Sequence, residues 1–252
     1  MAESKSKFLN SELLKIVTYI FSDSIIFNKS LPLPLKEAGL DFITTLAYHH
    51  RTVLTADIKI LNQILVCLVN MTSQPFEKEP LEQDTETLQD ISLWLLETLT
   101  LRLPKKYVYK PIIKEVEKLI RSNDENLMNS GFLILSGISE GCSHLLKNDL
   151  EELILKDLIP LGLSQSSAKV RGAAITTLGY LAEFLVPEIV DFHEMIIPIL
   201  LKGFTEEDIK VAEKSVFSMD IFCENMEREI IPYLNIIMPS LAGLIVSPKA
   251  SK

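Results

Sequence analysis

Glycine is scarce in this chain, with nine residues in 252 and no run of them anywhere. None of the nine is spaced as a phosphate-cradling Walker loop or a dinucleotide G-x-G-x-x-G turn, and no G-x-S-x-G elbow is present. This argues against a nucleotide-binding α/β fold. Cysteine is equally thin: Cys67, Cys142 and Cys223 stand far apart with no C-x-x-C pair, which points to reduced core thiols of an intracellular protein and not to metal ligands. Of the four histidines, His193 is followed by Glu194 as in a zinc-protease helix, but the second ligand position holds Ile197, so the pair is incomplete. His49 and His50 fall at a helix end, where a cation suits the dipole. With no nucleophile, base and oxyanion donor to assemble, neither an enzyme nor a cofactor is expected.

Positive charge is also in deficit. Lysine and arginine number 25 against 34 acidic residues, a net charge of −9, which argues against a duplex nucleic acid partner and suits a basic one. Residues 1–7 are polar with no apolar core behind them, so no signal peptide is read there. One stretch, Ile230–Pro248, is free of charge and nearly long enough for a bilayer, but it contains Pro232, Asn235 and Pro239. It is expected to be a buried helix and not a membrane span.

What the chain does have is repetition. Val170, Ala174, Leu178, Leu181 and Leu185 share one helix face. Moving Val170–Glu183 back by 43 residues lays it on Leu127–Glu140, with Gly131, Leu135, Ile138 and Ser139 at matching positions. Moving it forward by 41 lays it on Val211–Glu224, with Ser215, Met219, Phe222 and Cys223. Pro111, Pro160, Pro198 and Pro239 recur at a similar interval in the alternate helices. Two helices per unit at ~40–47 residues is the period of HEAT-type repeats. The fold class expected is all-α: a right-handed superhelical, armadillo-like HEAT solenoid of about eleven helices.

In chain order, residues 1–7 are expected to be flexible, residues 8–246 to form the solenoid and residues 247–252 a tail. An exposed acidic loop is placed at 72–84, and the spans Phe8–Phe21, Leu35–His50 and Thr55–Met71 precede it. Thr85–Leu103 and Lys105–Arg121 follow. Then come Glu125–His144, Leu150–Leu163, Ser167–Val186, Ile189–Leu201, Glu206–Asn225 and Glu229–Val246. Asn148-Asp149 and Thr205 are read as helix-starting caps. The last helix is apolar nearly all round, as an internal repeat would be, so the chain reads as part of a longer solenoid or as one packing end-on against a partner.

One charged feature keeps its place in the repeat. Glu140, Glu183 and Glu224 close the same stretch of three successive second helices, so stacking sets them in a row at about one helix diameter, ~10 Å. Such a row suits lysine- or arginine-rich segments, although each carboxylate could equally brace a neighbouring repeat. Trp94 lies in an apolar stripe and is expected in the core, with an exposed platform for a lysine stem as the alternative.

The ordered combination of Leu99-Thr100-Leu101-Arg102-Leu103-Pro104, Leu135-Ser136-Gly137-Ile138-Ser139-Glu140-Gly141 and Val170-Arg171-Gly172-Ala173-Ala174, running on through Leu178-Gly179 to Glu183, resembles the importin-beta (karyopherin-beta) superfamily, in its importin-4-like branch. Glu224-Asn225 and Pro232-Tyr233-Leu234 fit the same branch. The resemblance implies a nuclear transport receptor that moves between cytoplasm and nucleus. It implies basic cargo such as histones or ribosomal proteins and passage along FG-repeat nucleoporins; Glu140, Glu183, Glu224 and Trp94, read from the repeat, are the candidate cargo-binding residues. The repeats carrying the family's main Ran GTPase contact have no counterpart here, so Ran is not expected on this stretch. The alternative is a HEAT scaffold of another class, such as a phosphatase or chromosome-organising subunit.

Overall fold

The computed structural model describes residues 2–21, 25–26, 28, 30–73 and 87–246. Among them every regular element is a helix, as the repeat requires. The chain forms two compact units, Met1–Val116 and Glu117–Lys252.

The first unit holds α1 (Ala2–Ile20), α2 (Leu33–His49), the single turn α3 (Arg51–Leu54), α4 (Ile58–Ser73), α5 (Leu88–Arg102) and most of α6 (Lys105–Ile120). α1 starts well before Phe8, since residues 2–7 contain neither glycine nor proline to stop it. Pro34 sits in the first turn of α2, where its missing N–H costs nothing. α2 and α4 both pack on α5. Thr72 and Ser73, placed by sequence in the acidic loop, instead finish α4: both are buried, and their hydroxyls donate back to the Val69 and Asn70 carbonyls. Residues 74–84 of that loop, and the expected tail 247–252, lie outside the described residues. α5 opens on a capping box, with Thr87 Oγ1 accepting from the Asp90 N–H at 3.2 Å and the Asp90 carboxylate accepting from the Thr87 N–H at 2.9 Å. Cys67 and Cys142 are buried free thiols, as expected, and burial pushes the Cys67 thiol up to about 12; Cys223 is only half-buried.

The second unit contains the clear repeat. It holds α7 (Glu125–Asp149), α8 (Ile159–Leu163), α9 (Ala168–Phe184), α10 (His193–Phe204), α11 (Ile209–Met226) and α12 (Leu234–Val246). α7, α9 and α11 lie side by side, with α8 against α9 and α10 against α11. The stripe Val170, Ala174, Leu178, Leu181, Leu185 is buried throughout, as are its counterparts Leu135, Ile138, Met219 and Phe222. Small residues let the layers close up: a side chain added at Gly162 would run into the Phe132 ring and the Ala174 methyl.

Register between the stacked helices is set by a repeated polar contact. Thr177 Oγ1 of α9 shares its proton between the Phe132 carbonyl of α7 at 3.2 Å and the Ala173 carbonyl of its own helix at 3.0 Å, and Ser218 Oγ of α11 donates to the Ile175 carbonyl of α9 at 2.9 Å. Thr177 and Ser218 are 41 residues apart and Phe132 and Ile175 are 43 apart, so the same bond is made from the same repeat position twice. Both hydroxyls are fully buried. Ser136 Oγ adds a third contact, 3.0 Å from Thr177 Oγ1.

Local expectations fail where helices join. Asn148-Asp149 caps nothing: α7 passes straight into a π-helical stretch, Leu150–Leu158, in which the Ile159 N–H reaches Ile154 across five residues. Pro160 lies in the first turn of α8, not mid-helix like Pro111, Pro198 and Pro239. It has no N–H to continue the four-residue pattern, which fits the wider winding before it. Thr205 closes α10, its hydroxyl donating to Lys202, while the true cap of α11 is Asp208, which accepts from the Lys210 N–H at 2.9 Å. α11 stops after Met226 because Glu227 adopts a φ of 49°.

Ile230–Pro248 does not form one long helix. A 3-10 turn, Glu227–Tyr233, leads into the 13 residues of α12, and among the described residues no helix is long and apolar enough to cross a membrane. Nor is the segment buried as expected: Ile231 in the 3-10 turn and Met238 in α12 are about 60% exposed, and among its described residues Ile237 is the one buried side chain.

Replacing Thr177 by valine keeps the shape and removes the register bond. Urea unfolding should show a loss of about 1 kcal/mol, the usual net value of a buried neutral hydrogen bond.

Candidate functional site

The in-register stack of α7, α9 and α11 carries Glu140, Glu183 and Glu224 on its exposed side. All three are exposed, and none makes a hydrogen bond or ion pair among the described residues. The bracing role that the sequence left open therefore has no partner in the structure. Neighbouring helices sit 8–10 Å apart, so the row spans about 20 Å. Asp220, one turn before Glu224, is exposed too and deepens the negative end; burial, and then the charge of Asp220, push the Cys223 thiol up.

Two of these acids, Glu183 and Glu224, are placed against the helix dipole, while Glu140 lies within α7. α9 and α11 carry no acidic residue in the first turn and no basic residue in the last, whereas Glu183 and Glu224 stand near their C-terminal ends. At those ends a carboxylate faces the partial negative charge of the free carbonyls, and Asp220 and Glu224 repel at i, i+4. The fold itself gains nothing from such a row.

Apolar groups accompany the acids. Tyr180, three residues before Glu183, is partly exposed and its ring lies 6.5 Å from that of Phe184. Leu133 and Phe217, each seven residues before its glutamate, are 38% and 52% exposed. Offsets of three and seven share a helix face, so each carboxylate has an apolar neighbour able to take a lysine stem. Sequence reasoning missed these three residues, although the same offsets, counted back from the glutamates, would have found them.

Trp94 belongs to the first unit and is not core. It is 49% exposed, because the buried stripe of α5 runs through Leu88, Ser92, Leu95, Leu96 and Leu99 and leaves Trp94 off it. Glu97 follows three residues later, 43 before Glu140, so Trp94 and Glu97 repeat the pairing of Tyr180 and Glu183 within their own helix.

Other marked residues have structural partners. The Arg171 guanidinium forks onto the Glu206 carboxylate at 2.9 and 2.8 Å and donates to the Gln165 and Ser166 carbonyls at 3.0 and 2.7 Å, tying the start of α9 to the adjoining turns. His193 Nδ1 lies 2.7 Å from Tyr233 Oη. Among the described residues, no group of three His, Cys, Asp or Glu is placed to hold a metal ion.

No family model matches the chain. It is 23% identical to importin subunit beta-3 of Saccharomyces cerevisiae over 242 residues, covering 91% of this chain and 22% of that relative. It is also 25% identical to importin-4 of Mus musculus over 214 residues, covering 80% of this chain and 20% of the relative. The chain is thus similar over most of its length to importins of the importin-beta superfamily. Its fold matches Kap121p bound to Pho4p with a TM-score of 0.84 at 19% identity, over 96% of this chain and 25% of that one, a likeness that speaks for the fold alone. Kap121p has also been solved bound to RanGTP and to Nup53p. The chain spans about a fifth of the length of the curated relatives it matches.

Because Glu183 and Glu224 oppose the dipole, Glu183→Gln and Glu224→Gln should each raise stability slightly, by about 0.3–1 kcal/mol at low ionic strength. Thermal melts in low and high salt test this: the gain should shrink as salt screens the dipole.

Proposed function

We propose that this chain is a cargo-binding segment of a nuclear transport receptor working between cytoplasm and nucleus. Its acidic face takes lysine-rich stretches of basic cargo such as histones or ribosomal proteins. The observation that carries the reading is the row itself: three exposed, unpaired carboxylates on three adjacent helices, two of them, Glu183 and Glu224, kept where they disfavour the helices that bear them. An extended peptide advances about 3.3 Å per residue, so acids about 10 Å apart meet every third residue of a basic segment. Charge-assisted hydrogen bonds to each lysine, with its stem against Tyr180, Leu133 or Phe217, would hold it.

The relatives support this reading. A solved variant of Kap121p has two aspartates and a glutamate replaced by lysine, and those acids follow one another at 43 and 42 residues. Glu140, Glu183 and Glu224 follow at 43 and 41. The Nup53p and RanGTP complexes of Kap121p extend the reading to FG-repeat nucleoporins as transport partners, and to Ran for the full-length family; no surface of this chain is assigned to Ran.

Calorimetry with a lysine-rich histone-tail peptide at two salt concentrations tests the proposal. Binding should weaken as salt rises, and the Glu140→Gln, Glu183→Gln, Glu224→Gln variant should lose at least about tenfold in affinity, or 1.4 kcal/mol. Unchanged affinity would move the site off this face. A folded chain that binds no basic peptide would favour a HEAT scaffold of another class.

A further inference from the structure

The helices that carry the glutamate row carry a second row at their other ends. Asn126, Lys169 and Lys210 each stand 14 residues before Glu140, Glu183 and Glu224, so they repeat at the same intervals of 43 and 41. Fourteen residues is close to four helical turns. The second row therefore shares the exposed face of the first and lies about 21 Å from it along the helices. All three residues are exposed. Lys169 Nζ reaches back from α9 to Asn126 Oδ1 on α7 at 2.9 Å, so the row is linked from helix to helix.

Lys214 thickens this end. One turn after Lys210, it lies across from α11 onto α9 over Gly172; a side chain there would meet Lys214 Cδ at 3.1 Å and Nζ at 3.4 Å. Glycine at 172 leaves room for the lysine stem, and it sits one turn beyond Lys169. Lys169, Lys210 and Lys214 form no ion pair among the described residues. Of the acids nearby, Asp208 caps α11 and Glu206 is forked by Arg171, while Glu207 and Glu213 are exposed and form no ion pair with the lysines. Burial, with Lys169 and Lys210 adding to it against the pull of Asp208, holds Lys214 below the usual lysine range. Lys169 and Lys210 are also second residues of their helices, beside the positive end of the dipole. Three cations thus crowd at a site where the helix dipoles oppose them and where, although Asp208 pulls on Lys214, no acid forms an ion pair with any of them among the described residues.

We propose that Lys169, Lys210 and Lys214 bind an acidic or phosphorylated segment of the same partner whose lysines occupy the glutamate row. This rests on the function proposed above and adds a second requirement to it: the partner presents charges of both signs, about 20 Å apart. A protein segment fits better than nucleic acid, because a polyanion long enough to cover the lysines would run on into the glutamates.

Three peptides test this by fluorescence anisotropy on the whole chain. One is lysine-rich, one is glutamate- and phosphoserine-rich, and one joins the two through about ten Gly/Ser residues, a reach of up to ~33 Å. The joined peptide should bind at least about fivefold more tightly than the lysine-rich one. The Lys169→Gln, Lys210→Gln, Lys214→Gln variant should lose that advantage while keeping its affinity for the lysine-rich peptide. If the lysine-rich peptide fails to bind but the acidic one binds in a lysine-dependent way, the cargo reading falls and the lysine site stands. No gain from the acidic segment, or a gain the variant retains, overturns the site. A duplex oligonucleotide binding the lysines more tightly than the acidic peptide overturns the protein partner.

Discussion

The hydroxyl-to-carbonyl bond passed from helix to helix is the constraint on which the rest of the second unit depends. Thr177 reaches Phe132, and Ser218 reaches Ile175, from the same position of the repeat. Hydrophobic burial brings α7, α9 and α11 together, but apolar contact is non-directional and would tolerate a slip along the axis. A fully buried hydroxyl has less tolerance: a slip takes the neighbouring carbonyl away from Ser218 and leaves Thr177 only the Ala173 carbonyl of its own helix. Residues at one repeat position are thereby held level across three helices. Rows of surface side chains follow from that registration and need no further device.

The two rows then make a surface that the fold does not need. Helices are ordinarily steadied by acids at their starts and bases at their ends, and α9 and α11 have the reverse. The caps show that the chain can follow the usual rule, because Asp124 and Asp208 each accept backbone N–H bonds where a cap belongs. Reversal at Lys169, Lys210, Glu183 and Glu224, beside conventional capping, separates the charges that serve the helices from those that face outward. Strain of this kind tends to gather where a protein meets a partner.

Much of this was legible in the sequence, for a definite reason. A period of 41 to 43 residues fixes which positions are equivalent, so the buried stripe from Val170 to Leu185 and the glutamate row could both be read by sliding the chain along itself. What failed was local or depended on exposure. Asn148-Asp149 looks like a cap, yet Pro160 downstream accompanies a wider winding that carries the helix through it. Trp94 looks like core by type, yet the stripe of α5 passes beside it. Tyr180, Phe217 and Leu133 look like core by hydropathy, and their exposure follows from which side of each helix the stack leaves open. Lys169, Lys210 and Lys214 carry no sequence signal of their own until the glutamates supply the register.

The central claim is that the exposed face of α7, α9 and α11 is where a basic partner sits. Cross-linking tests it most directly, with a lysine-rich peptide bearing a photoreactive group midway along it and the attachment points read by mass spectrometry. Cross-links should fall on residues flanking the row, such as Leu133, Tyr180 and Phe217, and should disappear at high salt. Cross-links confined to α8, α10 or α12, or indifferent to salt, would contradict the account.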